Sequence, residues 1–187
     1  MKIGVIAVQG AFIEHEAALQ KLGIESIELR QKSDTQKGYD GLILPGGEST
    51  VQGKLLKELD MFDTIKTQIE SGMPVLATCA GMILLANELS NDAHAYFQTI
   101  PMTVKRNAYG RQLGSFHTEA DFCGIDKVPM TFIRAPYVET VSPDVEILAK
   151  VQEKIVAVRY KNQIALSFHP ELDDDTSIYN EFLKMIA

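Results

Sequence analysis

The stretch KIGVIAVQGAFIEHEAALQKLGIESIEL, residues 2–29, carries the pattern that decides the fold. Residues 2–8 form a continuous apolar run rich in β-branched side chains, which is typical of a strand buried on both faces. Residues 11–23 place apolar side chains on a helical stripe and end in Gly23, a common helix stop. Residues 24–29 alternate as a second strand. This order predicts two parallel strands joined by a crossover helix.

The same alternation continues through the first half of the chain. Residues 41–47 read as a third strand that ends in a Pro-Gly-Gly turn, and residues 74–78 read as a fourth. Residues 50–71 predict a helix in two pieces around Asp60, and residues 80–89 predict the next helix. The pattern indicates an α/β fold with a mostly parallel central sheet and helices on both faces.

The second half is rich in strands with short turns between them. These pieces lie at residues 112–122, 130–135, 146–151, 154–160 and 163–168. We expect them to form an antiparallel or mixed extension of the same sheet, followed by a last helix at about residues 176–186. No internal repeat or linker separates the two halves, so we expect a single domain over residues 1–187.

The charge balance and the cysteine count indicate which partners and which cellular compartment to expect. The 187 residues include 18 Lys and Arg against 25 Asp and Glu, a net charge of -7. This balance argues against nucleic acid or an anionic membrane as the main partner. The chain has only 2 cysteines, which favours a reducing cytoplasm over a disulfide framework.

Cys79 lies where the predicted fourth strand passes directly into a helix, in PVLATCAGMILLANEL, residues 74–89. In open α/β sheets ligands bind at the carboxyl ends of the strands. Free N–H groups at a helix start favour the thiolate form of a cysteine and can also bind an oxyanion. The arrangement parallels the nucleophile elbow of α/β-hydrolases. A buried structural cysteine is the alternative explanation for this segment taken alone.

Two other strand ends carry polar residues. In SFHPEL, residues 167–172, His169 ends a strand and Glu171 follows two residues later, which suits a base and the carboxylate that orients it. In LPGGEST, residues 44–50, two glycines offer backbone N–H groups for an anion. Taken alone, the first stretch fits a surface turn better, and only together with Cys79 at another strand end does it favour a triad. An ordinary strand-to-helix turn with Ser49 or Thr50 as N-cap is the alternative for the second stretch.

The motifs PGGEST, TCAG and FHPEL, in this order, resemble a class I glutamine amidotransferase domain. With AVQGAFIEHEAAL, ATCAGMILLA, RNAYGRQ (106–112), FIRAP (132–136) and SFHPEL, the chain is similar to the family of glutaminase subunits of pyridoxal 5'-phosphate synthases. The match runs from residue 1 to about 172. The resemblance implies a flavodoxin-like three-layer fold with a Cys-His-Glu triad.

The resemblance also implies the chemistry. Cys79 matches the nucleophile that attacks the side-chain amide of glutamine, His169 the base, and Glu171 the carboxylate that orients it. The N–H groups of Gly47 and Ala80 match the oxyanion hole. A glutamyl thioester forms, and water hydrolyses it to glutamate. Hydrolase and lyase are the enzyme classes that the resemblance implies.

The substrate contacts come from the same likeness. The residues that match glutamine-contacting positions are Gly46, Gly47, Glu48, Ser49, Arg106, Ile133 and Arg134, with Gln9 and Asn107 as weaker candidates. Two positions depart from many relatives: Ala77 replaces a glycine two residues before the nucleophile, and Ile83 replaces a glutamine. Recognition of glutamine must then depend on the regions of Glu48, Arg106 and Arg134.

The implied partner is a separate synthase subunit in a hetero-oligomer. It receives the ammonia and makes pyridoxal 5'-phosphate, so this compound is a product and no cofactor or metal is expected in the chain. The resemblance further implies weak activity until the two subunits dock. A hydrolase or chaperone-like member of the same superfamily and a non-catalytic regulatory subunit are the alternatives.

His15, among glutamates on the first helix, is expected to be solvated.

Overall fold

A computed structural model of the chain describes residues 1–108 and 114–186. The first half alternates strands and helices as expected. Its elements are β1 (Lys2–Ile6), α1 (Phe12–Lys21), β2 (Glu25–Leu29), β3 (Gly41–Leu44), α2 (Ser49–Glu58), α3 (Phe62–Glu70), β4 (Val75–Thr78) and α4 (Ala80–Leu85). A short 3-10 helix, Lys32–Gln36, lies between β2 and β3.

The second half consists mainly of strands. Its elements are β5 (Ala86–Leu89), β6 (Ile100–Lys105), β7 (Ser115–Phe122), β8 (Ile125–Ile133), β9 (Tyr137–Val141), β10 (Glu146–Val151), β11 (Lys154–Tyr160), β12 (Gln163–Leu166) and α5 (Ser177–Lys184). A second 3-10 helix, Pro170–Leu172, follows β12. Sequence reasoning missed β6 and β9, although Ile100, Met102 and Val104 alternate as buried residues of period two.

The parallel part of the sheet has the strand order β2-β1-β3-β4-β12. Each neighbouring pair in this part is parallel. With β12 as the fifth strand, the order is that of flavodoxin-like folds. The predicted α/β fold with a mostly parallel centre is therefore confirmed. The carboxyl ends of β3, β4 and β12 meet at one edge, where the strand order places a crevice.

Helices cover both faces of the sheet. On β3, Leu42 and Leu44 belong to one core cluster and Ile43 to the other, because successive side chains of a strand point to opposite faces. The first cluster also contains residues of α2, α3 and α4, and the second contains residues of α1 and α5. These are the three layers that the sequence predicted.

The extension of the sheet differs from the prediction in one respect. Strands β11, β9 and β6 continue the sheet in antiparallel pairs, and β10 pairs with β11. Strands β7 and β8 instead form a separate two-stranded sheet. Only one face of this hairpin packs on the core, through Phe122, Met130 and Phe132, so its residues alternate like those of the main sheet. Alternation alone cannot tell the two sheets apart.

The predicted helix over residues 80–89 is wrong in its second half. α4 ends at Leu85, and Ala86 has an extended backbone with φ -60° and ψ 138°. Residues of β5 then pair in parallel with β6. Pairing with a strand that lies farther along the sequence satisfies the backbone groups of β5, and this overrides the local helical preference.

Among the described residues, no helix combines the length and hydropathy needed to span a bilayer.

Candidate active site

Cys79 lies between β4 and α4. Its backbone has φ 49° and ψ -100°, a conformation that residues other than glycine rarely adopt. Such strain costs about 1–3 kcal/mol and persists only where the surroundings hold it. The N–H of Cys79 donates to the carbonyl of Leu166 at 2.8 Å. Gly81 permits α4 to approach β3 closely, since a Cβ there would lie 2.2 Å from the carbonyl oxygen of Leu44. The predicted tight turn at this strand-helix junction is present.

His169 and Glu171 are held together directly after β12. His169 Nδ1 and Glu171 Oε1 are 2.7 Å apart. Pro170 begins the short 3-10 helix that turns Glu171 back toward the ring. The backbone N–H of His169 donates to the carbonyl of Thr131 at 2.8 Å, which ties the residue to β8. The Cys79 thiol lies beside the same ring and contributes to raising its pKa, so one imidazole stands between the thiol and the carboxylate.

The charges of this group are strongly coupled. Burial by itself lowers the pKa of His169, but hydrogen bonds and charge from Cys79 and Glu171 outweigh it and raise the pKa to about 10. Burial by itself raises the pKa of the Glu171 carboxyl, but the facing His15 and His169 rings hold it below its ordinary value. At neutral pH the geometry therefore favours an imidazolium at His169 held by the Glu171 carboxylate.

The Gly46-Gly47 loop follows β3 and packs tightly against His169 and Cys79. The carbonyl of Gly46 accepts a hydrogen bond from the N–H of Ala11 at 2.9 Å. A Cβ on Gly46 would lie 2.4 Å from His169 Cε1. Gly47 has φ 157° and faces Gln9, whose Oε1 accepts a hydrogen bond from the N–H of Glu48 at 2.9 Å. Glycine is required at both positions because there is no room for a side chain.

A cavity of about 200 Å³ opens in front of Cys79 and His169. Its lining residues are Gln9, Gly47, Glu48, Ser49, Cys79, Ile83, Arg106, Asn107, Ile133, Arg134 and His169. The predicted site residues that stand behind the lining are Gly46, Ala80 and Glu171. As the first residue of α4, Ala80 has a backbone N–H without a partner inside the helix. All of the predicted site residues therefore lie in or directly behind one crevice.

Arg106 is held at the rim by residues from other elements. Its Nη1 lies 2.5 Å from Asp92 Oδ2, and its Nη2 donates to Thr50 Oγ1 at 3.2 Å. Sequence reasoning missed Asp92, which sits in a polar loop with no motif of its own.

Residues 109–112 of the RNAYGRQ motif lie outside the described residues. Among the described residues, no group of three or more His, Cys, Asp or Glu side chains could hold a metal ion.

The prediction that His15 is solvated is wrong. His15 is 0% exposed, and its Nδ1 lies 2.8 Å from the hydroxyl of Tyr179. Its Nε2 lies 3.1 Å from Thr78 Oγ1 and 3.5 Å from Glu171 Oε2. His15 lies four residues before Leu19, which is fully buried on α1, so both side chains are on the core face of this helix. This spacing was the signal in the sequence that His15 is buried.

Comparison with known proteins identifies the family of the chain. The family model described as "SNO glutamine amidotransferase family" matches residues 5–187. The chain belongs to the SNO glutamine amidotransferase family. Members of this family that it resembles include the "Pyridoxal 5'-phosphate synthase subunit PdxT" of Desulfitobacterium hafniense (strain DSM 10664 / DCB-2), 65% identical over 187 residues, covering 100% of this chain and 94% of the relative.

Two further comparisons extend the likeness to other relatives of the family. The protein of the same description from Haemophilus influenzae (strain PittEE) is 55% identical over 188 residues, covering 99% of this chain and 98% of the relative. A solved structure described as "Crystal structure of glutamine amidotransferase" superposes with a TM-score of 0.93 at 39% identity and covers 98% of both chains. The α/β architecture is thus that of a solved glutamine amidotransferase.

Proposed function

We propose that this chain is the glutaminase subunit of a pyridoxal 5'-phosphate synthase and that it releases ammonia from L-glutamine. The observation that carries the proposal is a single crevice in which His169 contacts Cys79 and is backed by Glu171. Family membership and the names of relatives at 65% and 55% identity support the same reaction.

The proposed chemistry begins at Cys79. Its sulfur, as thiolate beside the protonated His169, attacks the side-chain amide carbon of glutamine and forms a tetrahedral intermediate. His169 then gives its proton to the amide nitrogen, which leaves as ammonia, and a glutamyl thioester remains on Cys79. His169 next takes a proton from water, and the hydroxide adds to the thioester carbon. The C–S bond then breaks, glutamate leaves, and the Cys79 thiolate is restored beside the protonated His169. Glu171 keeps the His169 ring in the required orientation through both steps.

The oxyanion of each tetrahedral intermediate needs donors in fixed positions. We assign this role to the backbone N–H groups of Gly47 and Ala80, which flank Cys79 on the loop after β3 and at the start of α4. Loss of one such donor typically costs about 10²–10³ in rate.

We assign glutamine binding to the cavity lining. Ser49 Oγ is buried and, within the described part of the chain, has no hydrogen-bond partner, so it is available to a polar ligand. Arg106 and Arg134 line the same cavity, and a guanidinium group suits the α-carboxylate of the substrate. Gly46, Gly47, Glu48 and Ile133 complete the proposed substrate contacts, with Gln9 and Asn107 beside them. Ile83 supplies an apolar wall and leaves recognition to these polar groups.

The synthase partner is proposed to dock at the mouth of this cavity. Ile133 lines the cavity and is exposed, and three other large exposed apolar residues lie within four positions in sequence of a lining residue: Ile13, Val51 and Leu172. Large exposed apolar side chains are frequent at protein interfaces. We propose a hetero-oligomer with a synthase subunit, which the name of the relatives supports, and direct passage of ammonia to that subunit. The comparisons support an amidotransferase and give no support to a lyase activity of this chain itself.

Two further features belong to the proposal. The family model covers residues 5–187, which supports one domain over the whole chain. Cys79 and Cys123 are both free thiols, which suits a reducing cytoplasm.

Cys79→Ala tests the proposed reaction, with Cys123→Ala as the matched control because Cys123 is exposed and lies outside the cavity. We expect Cys79→Ala to abolish glutamate production from glutamine with the fold intact, and Cys123→Ala to leave it unchanged. Glutamate is measured for the chain alone and with a synthase subunit added. Hydrolysis by Cys79→Ala would refute the mechanism, and no stimulation by the synthase would refute the partner. No hydrolysis by wild type in either case would favour the chaperone-like or regulatory alternatives.

A further inference from the structure

A second imidazole lies behind the triad in a fully buried chain of side chains. Tyr179 on α5, His15 on α1, Glu171 on the 3-10 helix and His169 after β12 follow one another at distances of 2.8, 3.5 and 2.7 Å. Thr78, the neighbour of the nucleophile Cys79, contacts the same ring of His15 at 3.1 Å. Three separate elements, α5, β4 and the second 3-10 helix, thus contact one histidine that the proposed reaction does not use.

The contacts of His15 select one form of its ring. If the proton sits on Nε2, the Tyr179 hydroxyl donates to Nδ1, and Nε2–H points between Thr78 Oγ1 and Glu171 Oε2. In the other neutral tautomer, the lone pair of Nε2 would face the carboxylate oxygen, which electrostatic repulsion disfavours. The geometry therefore favours the neutral Nε2–H tautomer.

One carboxylate oxygen of Glu171 lacks a hydrogen-bond donor among the described residues. Its Oε1 is occupied by His169, whereas Oε2 is buried and, within the described residues, makes no hydrogen bond. A buried carboxylate oxygen without a donor is costly. His15 Nε2 faces this oxygen at 3.5 Å, a separation that a small ring movement would shorten to a hydrogen bond, and such contacts often tighten only when substrate binds.

We propose that His15 is a positioning residue of the triad, which donates from Nε2 toward Glu171 Oε2 and so keeps Oε1 directed at His169. This proposal rests on the proposed function and adds a second orienting residue to it. Tyr179 acts one step farther away, because its hydroxyl holds His15 in the donating tautomer.

The groups facing His15 set the direction of its pKa. Burial lowers the pKa of His15, the negative charge of Glu171 opposes this, His169 lowers it further and Glu14 raises it slightly. The net effect keeps the ring neutral. Burial and the charge of Glu171 also raise the pKa of Tyr179, so its hydroxyl keeps the proton that it donates.

His15→Leu removes the donor, and His15→Gln keeps an amide N–H in its place. We expect His15→Leu to lower kcat about 10- to 100-fold, the usual range for a hydrogen bond to a charged group, with KM unchanged. The alkaline limb of the pH profile should also move down from about 10, because a displaced or protonated Glu171 supports less positive charge on His169. His15→Gln should restore most of kcat and the position of that limb.

Tyr179→Phe and Tyr39→Phe form a matched pair. Both remove a buried tyrosine hydroxyl, but the hydroxyl of Tyr39 contacts Gln68 and Thr35, away from the cavity. We expect both variants to lose stability in thermal unfolding, and only Tyr179→Phe to shift the pH profile. Equal profiles for the two variants would refute the role of Tyr179.

Two measurements keep this proposal separate from the glutaminase assignment. The pH profile of Cys79 alkylation by iodoacetamide, followed by mass spectrometry, should shift to higher pH in His15→Leu even if glutamine is not the substrate, because a less positive His169 favours the reactive thiolate less. Nitrogen NMR of the wild-type His15 ring should show the neutral Nε2–H tautomer, which requires no variant to fold. A charged ring, the Nδ1–H tautomer or an unshifted alkylation profile in His15→Leu would overturn the proposal.

Discussion

Gly46→Ala tests how closely the loop after β3 sets the position of the triad imidazole. The new Cβ would lie 2.4 Å from His169 Cε1 and 2.9 Å from Nδ1, whereas ordinary contacts begin at 3.4 Å. The ring must therefore retreat by about 1 Å, the difference between 2.4 and 3.4 Å. The backbone of Gly46 is not in the left-handed region, so the perturbation is purely steric.

The ring has no free direction in which to move. His169 Nδ1 is already 2.7 Å from Glu171 Oε1, so a shift that relieves the clash must lengthen that hydrogen bond or separate the ring from Cys79. A misplacement of about 1 Å in a reacting group typically costs about 10²-fold in rate. We expect Gly46→Ala to lower kcat for glutamine hydrolysis by about this factor.

The assay is steady-state glutamate production, with and without the synthase subunit, together with thermal unfolding. Gly38→Ala is the matched control, because nothing lies within 4 Å of the Cβ it would add. A Gly46→Ala enzyme that keeps kcat within about threefold of wild type would refute the steric reasoning. A loss of kcat in Gly38→Ala would show that the effect is not local to the loop.

Two further predictions concern binding and stability. Arg106→Lys should raise KM for glutamine about tenfold with little change in kcat, because a single ammonium cannot reach both Asp92 and Thr50 as the guanidinium does; an equal fall in kcat would contradict a binding role. The free energy of unfolding should fall as pH drops below about 6.5, since His15 is neutral when folded and takes up a proton when unfolded, with a slope of up to about 1.4 kcal/mol per pH unit. Glu171, whose pKa is lowered, loses its contribution only at pH values below about 4.3. Burial raises the pKa of Glu16 into the same window, so the contribution of His15 is read from urea titrations of wild type against His15→Gln, which should flatten the slope there.

Much of the active-site crevice was predictable from local sequence. Cys79, His169 and the Gly46-Gly47 loop each follow an apolar strand, and parallel strands present their carboxyl ends at one edge. Their meeting in one cavity follows from that topology and from the likeness to a known family. Asp92 was not predictable, because its role comes from contact with Arg106, 14 residues away in a different element.

The alternation of apolar strands and helices determined by itself the α/β class, the parallel centre of the sheet and the edge at which polar residues collect, because these depend on periods of two and 3.6 residues along the chain. Tertiary structure decided that residues 86–89 are a strand, that β7 and β8 leave the main sheet, and that His15 is buried behind Glu171. Each of these depends on which distant backbone or side chain is available as a partner, since buried polar groups must be paired and the nearest partner in space is not the nearest in sequence.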